Sequence, residues 1–167
     1  MTALQSILVP ADGSAPSLAA LEHAIALAED VGATIDVLHI EAPDEFSVGS
    51  TSSLSPSTRG EIDRALEAAI ERARARLGDR ISRRSGIGDP LRTIVTVASD
   101  GHYDLIVIGT HGRVGRLHAM LGSIAEGVVR NAPCPVLTVR EAGAGYQSFA
   151  ERRHGRPTLA EQSVQRH

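Results

Sequence analysis

The chain has 167 residues, 42% of them hydrophobic and 22% charged, with a formal net charge of −3. That length supports one domain with a sizeable core, and the acidic balance argues against a nucleic-acid partner. With two Tyr, two Phe and no Trp the core must be aliphatic, and because all 17 basic residues are Arg, a Walker lysine and lysine Schiff-base chemistry are excluded.

Short apolar runs alternate with stretches of helical period. Ser6 to Val9 reads as a strand, stopped by Pro10 and the Asp12-Gly13-Ser14 turn. Ser14 is placed to cap a helix that carries Pro16 in its first turn and an apolar stripe of Leu18, Leu21, Ile25 and Ala28. Gly32 ends it, and Thr34 to Ile40 is the second strand. Residues 41–57 form a Ser/Pro-rich connection without periodicity. Ile62, Leu66, Ala69, Ile70, Ala73 and Leu77 then mark one face of a helix, with Gly78 beyond it. Arg80 to Ser85 is a weak strand. Asp89-Pro90 caps and starts a helix with Leu91, Ile94, Val95 and Ala98 on one side, ended by Gly101. Asp104 to Ile108 is the fourth strand, Ser123 to Asn131 a helix, and Pro135 to Arg140 the fifth strand.

This βαβαβαβαβ order predicts an α/β fold: one domain over 1–140 built on a five-stranded parallel sheet with helices on both faces. Residues 141–167 are polar and read as a flexible tail. Ligands of such sheets sit at the carboxyl ends of the strands, where strand order reverses. The two most unusual loops, Pro10 to Ser14 and Gly109 to Ser123, follow the first and fourth strands, so if those strands are neighbours both loops face one crevice. No leader-like or membrane-spanning run is present, and the lone Cys134 cannot form an internal disulfide. Together these read as a cytoplasmic protein with no membrane partner.

The phrase that carries chemistry is Gly109-Thr110-His111-Gly112, nine residues, then Gly122-Ser123. Here a strand runs into a glycine-punctuated loop that delivers the start of a helix. Unpartnered N–H groups at the positive end of a helix dipole welcome an anion. Ser123 with Glu126 three residues on reads as a capping box. The residues point to a nucleotide triphosphate site, the alternative being a structural crossover whose glycines only make turns. Asp12 is either an Asx turn and helix cap or a carboxylate facing the crevice. Arg113 and Arg116 either neutralise phosphates or are solvated, and His111 either senses phosphate or caps a loop carbonyl. His39, on an apolar strand, reads as a satisfied core residue, and Cys134 as a small buried hydrophobe. His102, His111, His118 and Cys134 lack metal-ligand spacing.

Ile7 to Ser14, Val37-Leu38-His39-Ile40, Gly88-Asp89-Pro90, Asp104 to Arg113, Leu121 to Glu126 and Ala132 to Val136 together resemble the universal stress protein family, in its ATP-binding class. The resemblance spans about Ser6 to Arg140 and implies an adenine nucleotide alpha hydrolase-like, Rossmann-like fold. Carried over by position, it implies that Gly112, Gly122, Ser123 and Ile124 hold the phosphates, with His111, Arg113 and Ala125 beside them. Asp12 would reach the ribose or a nucleotide-bound Mg or Mn ion, and Ile40 would offer main-chain atoms to the adenine edge. Pro10, Ala11, Ile108 and Gly109 would line the floor. The family also implies a homodimer through Val136 to Arg140, an apolar strand that needs a cover. Three functions are compatible with these residues. The first is a nucleotide-dependent stress-response module with an unknown downstream protein partner. The second is a slow metal-dependent ATPase, for which no residue is an obvious base. The third is a partner-binding dimer with an empty crevice.

Overall fold

In the computed structural model, which describes residues 4–43, 56–110 and 122–140, strands and helices alternate along the chain. They are β1 (Ser6–Pro10), α1 (Ala15–Val31), β2 (Thr34–Glu41), α2 (Pro56–Leu77), β3 (Ile81–Ile87), α3 (Pro90–Asp100), β4 (Leu105–Gly109), α4 (Ser123–Asn131) and β5 (Val136–Val139), with a 3-10 turn, Gly78–Arg80, between α2 and β3. All pairings are parallel and the order is β3-β2-β1-β4-β5. The first and fourth strands are therefore neighbours, and strand order reverses between them.

Alternation along each strand divides the interior into two cores. Ile7 and Val9 of β1, Ile35 and Val37 of β2, Val107 of β4 and Val139 of β5 face α1 and α2. On the opposite face Leu8, Leu38, Ile106 and Ile108 pack against Ile94 and Ala98 of α3 and Ala125 and Val128 of α4. The central strands are covered on both sides, which is why they read as unbroken Ile/Leu/Val runs. All six residues of the α2 stripe, Ile62, Leu66, Ala69, Ile70, Ala73 and Leu77, are buried. Truncating one of the larger of them, Leu66→Ala for example, costs about 2–5 kcal/mol.

Local signals explain the boundaries. Ser14 caps α1 by accepting from the Ser17 N–H, Pro16 stands in its first turn, and Gly32 ends it in the left-handed region at φ 78°. Asp89 caps α3 through the Arg92 N–H. At α4 the structure corrects the sequence reading. The N-cap is Gly122, Ser123 is the first helical residue, and no side chain of the described residues caps the helix. Glu126 turns instead to Arg130, one helical turn on, at 2.9 Å. The capping box fails because the backbone bond from the Gly122 N–H to the Thr110 carbonyl, 2.6 Å, already fixes the entry of the chain one residue earlier. Strand β3 also runs further than its composition suggests, to Ile87, because its register against β2 continues to the Glu41↔Ile87 pair.

Candidate functional site

Strand order reverses between β1 and β4, so the connection after β1 leads on to β2 and the one after β4 leads on to β5, on opposite sides of the switch. After Pro10, Ala11 continues the line of β1 by donating its N–H to the Leu38 carbonyl at 2.9 Å. The Asp12-Gly13-Ser14 turn follows, with Gly13 at φ 73°. Asp12 Oδ1 accepts the Ser14 N–H at 3.0 Å and the Ser14 hydroxyl at 2.5 Å. The Asx-turn reading of Asp12 is thus realised, and it fixes the carboxylate just past the carboxyl end of β1. Pro10 and Ala11 are buried beneath it.

Across the crevice, Ile108 belongs to the second core and Gly109 ends β4. Thr110, buried, donates its N–H to the Val139 carbonyl and accepts from the Gly122 N–H. These two bonds bring the start of α4 back to the strand it came from. Gly122 is partly buried, whereas Ser123 and Ile124 are exposed and Ala125 turns into the second core. Among the described residues no side chain caps the backbone N–H groups of the first turn of α4. By contrast α1 and α3 each have a side-chain cap. His111, Gly112 and Arg113, with Arg116, lie outside the described residues.

Ile40 is partly buried and packs against the second core. Leu38 turns its carbonyl toward β1, so strand alternation turns the polar main-chain groups of Ile40 to the same side, just past the end of β1. His39 is the residue whose contribution the sequence hides. It is neither exposed nor simply enclosed: its Nδ1 lies 3.0 Å from the Ala11 carbonyl and its Nε2 3.8 Å from Asp63 of α2. Only the apolar Val37-Leu38 context was visible in the sequence, and the partner at Ala11 is 28 residues away.

Among the described residues no group of three His, Cys, Asp or Glu side chains converges as a metal site. Asp12 alone, with Oδ1 engaged by Ser14, fits Mg or Mn only as an ion carried in on phosphate oxygens, the usual mode for Mg. The groups with displaced pKa values lie away from this mouth. Burial, then the bond to Asp36, pushes the Tyr103 phenol up to about 12. The N–H groups of Gln5 and Ser6 hold the Asp104 carboxyl below the usual carboxylate range. Burial raises the Cys134 thiol, which is half-buried rather than enclosed. The first two brace the amino ends of β1, β2 and β4 and do not face the crevice.

Comparison with known proteins gives a consistent result. The model of the Universal stress protein family matches residues 3–140. A universal stress protein of Methanocaldococcus jannaschii is 34% identical over 141 residues, covering 82% of each chain. Among solved structures, the universal stress protein UspA from Lactobacillus plantarum superposes with a TM-score of 0.67 at 26% identity, over 84% of this chain and 100% of that one. A universal stress protein solved in complex with cAMP superposes with a TM-score of 0.63 at 27% identity, over 84% of this chain and 100% of that one.

Proposed function

The chain belongs to the universal stress protein family, and from that premise we propose that it binds ATP in the crevice between β1 and β4 and acts as a nucleotide-dependent regulatory module in the stress response. The observation that carries the reading is the start of α4. It is a helix N-terminus following β4 at the topological switch point, with no side-chain cap among the described residues, and the neighbouring strand β1 leads into a turn that fixes a carboxylate. The complex of a 27% identical relative with cAMP supports an adenine nucleotide as the ligand class.

In this reading the N–H groups of Ser123, Ile124 and Ala125 receive the phosphates, completed by Gly112 with His111 and Arg113. Asp12 receives the ribose hydroxyls or the Mg or Mn ion that travels with the triphosphate. Ile40 meets the adenine edge with its main chain. Pro10, Ala11, Ile108 and Gly109 supply the rigid base, chiefly through backbone, since the side chain of Ile108 is committed to the second core. Binding stabilises the fold by mass action. A homodimer through Val136 to Arg140 is part of the same proposal. β5 is an edge strand and Leu137, 38% exposed, stands on it as an apolar side chain that a twin strand would cover.

Calorimetric titration of the full chain with ATP, ADP, AMP and cAMP in Mg-containing buffer tests the proposal, together with mass analysis of nucleotide released from the freshly purified protein. Saturable binding of ATP is expected. No retained nucleotide and no binding heat with any of the four would overturn it.

A further inference from the structure

We propose that His39 is a positioning residue for the crevice, fastening the turn that carries Asp12 by gripping its main chain. The inference rests on the nucleotide reading above and adds to it the group that keeps β1's exit in a binding-competent shape.

Both main-chain polar groups of the buried residue Ala11 are held from β2. Its N–H goes to the Leu38 carbonyl at 2.9 Å, and its carbonyl goes to His39 Nδ1 at 3.0 Å. A carbonyl can only accept, so Nδ1 carries the proton. The parallel ladder between β1 and β2 ends at the Pro10↔Leu38 pair. The imidazole therefore stands at the acceptor that the next rung, from the Ile40 N–H, would use. With the ring on that oxygen, the ladder stops at Ala11, and the main chain of Ile40 lies beside the crevice rather than under an added rung.

The ring is itself largely enclosed. Its side chain is 12% exposed, and Nε2 lies 3.8 Å from Asp63 Oδ1 on α2. Asp63 in turn lies 3.4 Å from Arg83 Nη2, whose other nitrogen donates to Glu67 at 2.6 Å. Asp63 of α2 and, behind it, Arg83 of β3 thus stand beside the imidazole, and the imidazole holds the residue before Asp12. Losing the donor leaves the Ala11 carbonyl buried without it, which favours other conformations of the turn. Apparent affinity then falls by the fraction of molecules that remain competent.

The test is ATP titration of the full chain as wild type, His39→Asn, His39→Gln and His39→Leu, with thermal melts of each. An Asn amide nitrogen falls where Nδ1 stands, and a Gln amide nitrogen falls near Nε2. His39→Leu is expected to bind about tenfold more weakly, His39→Gln similarly, and His39→Asn within about threefold of wild type. Should His39→Leu fail to fold, the Asn and Gln pair decides alone: Asn tighter than Gln supports the proposal, and equal affinities overturn it. Wild-type affinity in a folded His39→Leu variant also overturns it, while leaving the nucleotide reading intact. No ATP uptake by the wild-type chain removes that reading, and this inference with it.

Discussion

Gly109 lies so close beneath the first turn of α1 that a Cβ there would stand 2.7 Å from both the carbonyl carbon and the oxygen of Pro16. The neighbour is backbone, and it belongs to the segment capped by Ser14, so it cannot swing aside as a flexible side chain would. The glycine at the end of β4 is thus a packing requirement.

Gly109→Ala is accordingly expected to destabilise the fold by about 1–3 kcal/mol, the usual range for overpacking. Urea unfolding with an unchanged m-value measures it. Because the displaced element begins three residues after Asp12 and is capped by the Ser14 that Asp12 binds, ATP affinity should fall in the same variant.

Gly122→Asp separates the helix end from the ligand. Gly122 sits at φ −60° and ψ 148°, a backbone conformation open to any residue, and Asp is a better N-cap than Gly by a few tenths of a kcal/mol. The melting temperature should hold or rise slightly. The new carboxylate would satisfy the amides offered to phosphate and repel an anion there, so calorimetry should show ATP binding weakened by about tenfold or more.

Asp104 ties the amino end of β4 to that of β1, accepting the N–H groups of Gln5 and Ser6 at 2.9 Å each. These bonds favour the charged form, and the folded-state pKa is lowered. The stabilisation is therefore present above the unfolded-state value of about 3.9 and is lost as pH falls through the lower folded value. Asp104→Asn should melt at a lower temperature than wild type at pH 7. The gap should narrow in melts at successively lower pH below about 4.

Tyr103 works in the opposite pH range. Its hydroxyl donates to Asp36 and accepts from Arg84 Nη1 at 2.8 Å, joining β2, β3 and the lead-in to β4. Its pKa is raised to about 12, so the stabilisation is complete below the unfolded value near 10 and is lost as pH climbs through the folded one. Tyr103→Phe should cost about 1 kcal/mol at neutral pH by urea unfolding, and its stability should fall less steeply than that of wild type between about pH 10 and 12.

Much of the frame could be read directly from residues. Ser14, Gly32 and Asp89 announce helix ends through local chemistry, and the α2 stripe announces its buried face by spacing alone. Contacts made across the chain could not be read this way. The capping box at Ser123 and Glu126 is locally sound, yet a bond to Thr110 in another element moves the cap to Gly122. Gly101 closes α3 without entering the left-handed region, at φ −84°, and His102 takes that conformation at φ 50°. Glycine is required at 101 because a Cβ would fall 2.4 Å from the Tyr103 ring, a tertiary reason no local pattern carries. The ends of β1 and β4 and the start of α4 fall where the sequence pattern set them, while the contact of His39 is legible only once β1 and β2 are side by side.

The bond between Thr110 and Gly122 pinches the chain at the point where it departs from and returns to the scaffold. Because Thr110 also donates to the Val139 carbonyl, this one residue ties the end of β4 both to β5 and to the start of α4. A substitution at Thr110 that disturbs its main chain would therefore loosen two elements at once, the edge strand and the last helix.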